Sequence, residues 1–79
     1  MADTIGRRLV QAIQDRAEKN GTKKNAEAAK LGISRVDIYR WEHTNINPQA
    51  YFLQQAALAG YDVYWILTGK EKRNATKLS

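Results

Sequence analysis

Residues 31 to 43, "LGISRVDIYRWEH", combine a glycine turn, a helix cap and an amphipathic segment in one short stretch. Gly32 allows the chain to turn sharply, because glycine reaches backbone conformations that other residues avoid. Ser34 is a typical N-cap, since its hydroxyl can accept a hydrogen bond from the first turn of a helix. Asp37, three residues later, adds a carboxylate to that turn, where the helix dipole favours negative charge. The stretch therefore predicts a tight turn followed by a helix over about 34–43.

Two apolar side chains decide which side of this helix faces away from the protein. Ile38 and Trp41 lie three residues apart and share one face, which would pin the helix to the body of the domain. Ile33, just before the cap, would fill the corner of the turn. The side chains left to point outward are Ser34, Arg35, Val36, Tyr39, Arg40 and His43.

A shorter helix is predicted immediately before the turn, within "TKKNAEAAKLG" at residues 22–32. Thr22 or Asn25 can cap it, its alanines favour it, and Gly32 ends it. Ala28 is small where the backbones of the two helices must cross closely. Two short helices joined by a tight glycine turn are typical of the helix-turn-helix, whose second helix enters the major groove of DNA.

Two longer helices are predicted on either side of this pair. Apolar residues at helical spacing, followed by the stop signal of Asn20 and Gly21, predict a first helix over about 4–19. Pro48 at the first helical position predicts a fourth helix over about 48–59. No strand pattern or internal repeat accompanies them.

A fifth helix, "VYWILT", is predicted between a cap at Asp62 and a stop at Gly69. The fold class is therefore predicted to be all-α, with five helices in one domain over 1–69. Residues 70–79 carry no apolar periodicity and are predicted to form a basic, flexible tail. The cations in this tail are Lys70, Lys72, Arg73 and Lys77.

Composition limits the functions that the chain can perform. There are 79 residues, no cysteine and one histidine, so disulfides, thiolate metal sites and a histidine metal centre are excluded, and no cofactor is expected. No catalytic triad or phosphate-binding glycine loop is present, which argues against an enzyme. "MADTIGRR" lacks the apolar stretch of a signal peptide and no run approaches membrane-spanning length, which favours the cytoplasm. The net charge of +5 suits a polyanionic partner, although it could also serve solubility alone.

A family resemblance covers roughly residues 5 to 70. "KNAEAAKLGISRVDIYRWE" resembles the helix-turn-helix of the lambdoid phage repressor and Cro family, also called the XRE-type family. "NPQAYFLQQAALAGYDVYWILTGK" resembles the rest of that five-helix lambda-repressor-like domain, with its proline after the motif and its closing tryptophan, two aliphatics, threonine and glycine. The resemblance implies a phage or prophage transcriptional regulator in the cytoplasm of a bacterial host. Such proteins usually bind two-fold DNA operators as dimers, so a weak homodimer formed on DNA is expected.

The resemblance also implies roles for single residues. Ser34, Arg35, Val36, Tyr39 and Arg40 would face base edges and flanking phosphates, and His43 would lie at the end of the same surface. Arg35 or Arg40 could read guanine through O6 and N7, and Val36 could contact a thymine methyl group. Lys24, near the start of the preceding helix, would reach a phosphate or brace Arg35.

Several of these residues have another interpretation. Arg40 could pair with Asp37 on its own helix, Tyr39 could be half-buried, and His43 could simply favour the helix end. Arg7 and Arg8 are expected to form a solvated face rather than to make contacts. Trp65 is expected in the core, whereas Tyr64 could belong to the core or to a dimer surface.

Glu27 departs from the family pattern, which usually has a buried aliphatic residue at this position. Its carboxylate is expected either to bend out to solvent, toward Lys23 or Lys30, or to accompany a slightly rolled helix. If the chain is complete it resembles Cro, and if it is a fragment it resembles the N-terminal domain of a repressor. The alternative functions are an antitoxin of the same fold and a protein-interaction adaptor without DNA contact.

Overall fold

The computed structural model describes residues 3 to 71, and within them the chain forms five helices and no strand. The helices are α1 (Ile5–Asn20), α2 (Lys24–Lys30), α3 (Arg35–His43), α4 (Ala50–Leu58) and α5 (Val63–Thr68). The predicted all-α fold class is therefore confirmed. The tail predicted over 70–79 lies outside the described residues except for 70 and 71.

Three helix starts follow the local signals in the sequence. The Thr4 hydroxyl accepts a hydrogen bond from the backbone N–H of Arg7 at the start of α1, and the Asp62 carboxylate accepts one from Trp65 at the start of α5. At the start of α3, Ser34 and Asp37 bond to each other's backbone N–H, which is a complete capping box.

Two other helix starts differ from the prediction. The N-cap of α2 is Lys23, and the Thr22 hydroxyl donates to the Glu27 carboxylate instead of capping the helix. α4 begins at Ala50, not at Pro48, because Gln49 between them has an extended backbone (ψ 156°) that a helix cannot include. Pro48 is buried ahead of the helix.

The first helix is the centre of the domain. α2, α3 and α5 all pack against α1, and α4 packs against α5. Leu9 and Ile13 of α1 and Ile66 of α5 are completely buried. The wider core is formed by Val10, Ala28, Leu31, Ile33, Ile38, Trp41, Ala56 and Tyr61. Trp65 is partly buried against this core, close to its expected role, while Tyr64 is exposed.

One glycine permits a close approach of α1 and α3. Gly6 of α1 is buried, and a Cβ atom built on it would lie 2.8 Å from the Cβ of Trp41 and 3.3 Å from the carbonyl oxygen of Ile46. Any larger residue would push α3 away from α1. Gly6 therefore determines how closely α3 is seated on the body of the domain.

Arginines of α1 bind the carboxyl ends of other helices. The Arg8 guanidinium donates to the carbonyl oxygens of Ile66 (2.8 Å) and Leu67 (3.3 Å) at the end of α5. The Arg16 guanidinium donates to the carbonyl of Ala59, at the end of α4, at 2.8 Å. Carbonyls at the last turn of a helix lack partners within it, and a cation there also interacts favourably with the helix dipole. The expectation that Arg8 lies on a solvated face is therefore wrong.

Glu27 is buried, with 3% of its surface exposed, so of the two expectations for it the carboxylate bent out to solvent is wrong, although the carboxylate does meet Lys30. The carboxylate accepts hydrogen bonds from the Thr22 hydroxyl and from the Lys30 ammonium at 3.4 Å. The Thr22 hydrogen bond, opposed by burial and helped by the charge of Lys30, lowers the pKa of Glu27 below its ordinary value of 4.5. The buried negative charge of Glu27 is therefore stabilised by Thr22 and Lys30.

No helix within residues 3 to 71 combines the length and the apolar character needed to cross a membrane.

Candidate nucleic-acid interface

The link between α2 and α3 is a four-residue turn built on the predicted residues. Gly32 has a positive φ of 76°, and the N–H of Ile33 donates to the carbonyl of Ala28 at 3.0 Å. Ala28 and Ile33 are buried, as expected of a small crossing residue and a corner plug. The chain therefore changes direction sharply between α2 and α3.

The two sides of α3 are clearly separated. Ile38 and Trp41 are buried, and the Trp41 ring meets Phe52 of α4 edge to face with centroids 5.4 Å apart. On the opposite side, Val36 and Tyr39 expose 63% and 64% of their surface. Ser34, Arg35, Arg40 and His43 are exposed as well, and by helical spacing Arg40 and His43 share the side of Val36 and Tyr39. The structure therefore exposes every residue that was predicted to point outward from this helix and its cap.

The arginines of α3 differ from those of α1 in how they are used. Among residues 3 to 71, neither the Arg35 nor the Arg40 guanidinium makes a hydrogen bond or an ion pair. In particular, Asp37 is engaged with the backbone N–H of Ser34 at 3.2 Å and forms no pair with Arg40. The alternative interpretation of Arg40 is therefore not what this structure shows.

The exposed aromatic residues of α3 contact each other. The rings of Tyr39 and His43, one turn apart, have centroids 4.3 Å apart and are tilted by 41°. Tyr39 is not half-buried, so its ring is available on the surface, and His43 limits the directions in which it can point. His43 also borders an open groove of about 460 Å³ that Gln11, Gln14 and Lys24 help to line.

Lys24 has a partner that the sequence did not suggest. Its ammonium lies 2.9 Å from a carboxylate oxygen of Glu42, near the far end of α3, so it braces Glu42 and not Arg35. The Arg7 guanidinium donates to the backbone carbonyl of the same Glu42 at 3.2 Å, and Arg7 is only partly exposed. The expectation of a solvated Arg7 is therefore also wrong. Glu42 is the residue that sequence reasoning missed, because its partners are 18 and 35 positions away.

Comparison with protein-family models, with curated proteins and with solved structures finds no match to this chain.

Proposed function

We propose that this chain is a sequence-specific DNA-binding transcriptional regulator that inserts α3 into the major groove of an operator. In this proposal α2, the turn and α3 form a helix-turn-helix within a five-helix, lambda-repressor-like domain. Lysines and arginines that neutralise phosphates supply much of the affinity, and the outward side chains of α3 supply the selectivity.

The use of arginine is the observation that carries the proposal. Of the five arginines within residues 3 to 71, the three on α1 bind backbone carbonyls at the ends of α3, α4 and α5. The other two, Arg35 and Arg40, are both on α3, are exposed, and have no partner among the described residues. Exposed guanidinium groups on one helix, without a partner among residues 3 to 71, suit a ligand with planar acceptor pairs.

The other exposed groups of α3 fit the edges of base pairs. A guanidinium can donate two parallel hydrogen bonds to O6 and N7 of guanine, and the apolar side chain of Val36 matches a thymine methyl group. The Ser34 oxygen already accepts a hydrogen bond from Asp37, which leaves its hydroxyl proton for a phosphate oxygen. Tyr39 adds a second apolar surface that ends in a hydroxyl.

Selection of bound sequences from random duplex DNA is the test of this proposal. The chain should enrich one sequence, and Arg35→Ala and Arg40→Ala should each weaken binding to it by roughly 1–3 kcal/mol and relax the base preference at one position. Lys19→Ala is the matched control, because it removes one exposed cation from α1 and should leave the preference unchanged. Equally tight and selective binding by both arginine variants would reject the assignment of α3.

A further inference from the structure

An ion pair joins the start of α2 to the end of α3. These are the helix ends that the turn does not connect. Lys24 is the first residue of α2, and Glu42 is the last but one of α3. Their side chains are 29% and 34% exposed and meet at 2.9 Å. Because the turn already connects the other two ends, α2 and α3 are linked at both ends, once through the backbone and once through charge.

Helix stability does not account for the signs of these charges. A cation at the start of α2 and an anion near the end of α3 each oppose the dipole of their own helix, which favours the reverse arrangement. A pair this exposed also contributes little to folding by itself. What the pair does achieve is to fix where the end of α3 lies relative to α2, and Arg7 holds the backbone carbonyl of the same residue to α1.

We propose that Lys24 and Glu42 are positioning residues that hold α3 at the angle at which its outward side chains meet the base edges. This inference rests on the proposed function. Selectivity then depends on a charge pair that itself reads no base. It also gives Lys24 a different role from the phosphate contact that the family resemblance implies, because its ammonium is already bound to Glu42.

The two roles of Lys24 predict different responses to salt. A phosphate ligand displaces counterions from DNA, so losing it lowers the slope of log affinity against log salt by about one. A positioning residue leaves that slope unchanged when it is lost, but lowers the ratio of specific to non-specific affinity. Removing Glu42 should steepen the slope, since the released Lys24 becomes able to meet a phosphate.

The experiment measures affinity for the selected duplex and for a scrambled duplex over a range of salt concentrations. Lys24→Met should lower the affinity ratio by about tenfold, within the range seen for coupled residues, without changing the slope on scrambled DNA. Glu42→Gln should also lower the ratio, while it tightens binding to scrambled DNA and steepens the slope by about one.

The reversed pair, Lys24→Glu with Glu42→Lys, is the decisive variant. It places each charge at the helix end that the dipole favours, so it should fold at least as well as the wild type. It should recover the wild-type affinity ratio. If the single variants unfold at the assay temperature, this double variant alone decides the outcome.

Two matched controls separate position from net charge. Lys30→Met removes a cation from α2 that pairs with Glu27 on the same helix, and Glu18→Gln removes an exposed carboxylate that accepts from Gln14 on α1. Neither change touches the link to α3, so neither should alter the affinity ratio.

A lower slope with an unchanged ratio in Lys24→Met would overturn the proposal and make Lys24 a phosphate ligand. A reversed pair that folds but does not recover the ratio would also overturn it. If the wild type selects no sequence, or if Arg35→Ala and Arg40→Ala change nothing, the proposed function itself has failed. These arginine results are independent of the Lys24 variants, so the two failures can be told apart.

Discussion

Glu27 shows how one residue can keep its charge inside a small domain. Its carboxylate is bonded to the Thr22 hydroxyl and to Lys30, and these partners lower its pKa despite its burial. A carboxylate whose pKa is lowered by folding stabilises the native state at every pH above its unfolded value. This contribution is lost as the pH falls from about 4.5 through the folded pKa.

The lowered pKa of Glu27 predicts how the melting temperature depends on pH. Between pH 7 and pH 3 the melting temperature of the wild type should fall more steeply below about pH 4.5 than that of Glu27→Gln, which has no proton to bind. Circular dichroism melts at several pH values measure both curves. Glu18→Gln is the control, since its carboxylate is exposed, and its curve should follow the wild type. Parallel curves for wild type and Glu27→Gln would contradict the lowered pKa.

At the scale of the helices, the crossing of α1 and α3 gives a prediction in which two effects have opposite signs. Replacing glycine by alanine inside a helix ordinarily stabilises it by up to about 1 kcal/mol. At Gly6 the new Cβ would come within 2.8 Å of the Trp41 Cβ, which is too close. We expect overpacking to dominate, so that Gly6→Ala lowers the free energy of unfolding by about 1–3 kcal/mol.

Urea denaturation of Gly6→Ala tests this balance directly. The variant should also bind the selected duplex less tightly, because α3 is displaced from α1. A variant that is as stable as the wild type or more so would mean that the helices separate at little cost and that α3 is not tightly seated.

The helices also show which parts of the structure could be predicted from the sequence. Ser34 with Asp37, and Asn20 with Gly21, act within one helix turn, so the carboxyl end of α1 and the start of α3 could be predicted to within about a residue. The start of α4 could not, because Pro48 is compatible with a helix start yet is buried two residues before it.

In the candidate interface, too, local features could be predicted and contacts between distant residues could not. The outward side of α3 could be predicted because Ile38 and Trp41 alternate with exposed residues at helical spacing. The pairing of Lys24 with Glu42 could not, since no local pattern relates residues that lie 18 positions apart. Contacts of this kind depend on the angle between helices, which the sequence does not state.

For the whole molecule, the distribution of charge suggests where two copies can meet. No Asp, Glu, Lys or Arg occurs from residue 44 to residue 61, although 27% of the chain is charged. Within this run, Tyr51 and Leu58 lie seven residues apart on one side of α4 and are 55% and 75% exposed. Two copies carrying a net charge of +5 each repel one another least where both faces are uncharged.

We therefore expect weak self-association through α4, with help from exposed Tyr64 on α5. Sedimentation should show mostly monomer at micromolar concentration without DNA, and two copies on a two-fold duplex. Leu58→Lys should reduce cooperative binding to that duplex and leave binding to a single half-site unchanged. A tight dimer in the absence of DNA would contradict the expected weakness of the contact.

The arginines of α1 have a consequence for how the protein is made. α1 leaves the ribosome before α2 to α5, but its arginines bind carbonyls at the ends of later helices, and Ile66 of α5 completes the core around Leu9 and Ile13. Until α5 has been synthesised, α1 has an uncovered apolar face and the Arg8 guanidinium lacks its carbonyl partners. We therefore expect the core around Leu9 and Ile13 to close only when α5 arrives, late in the synthesis of the domain.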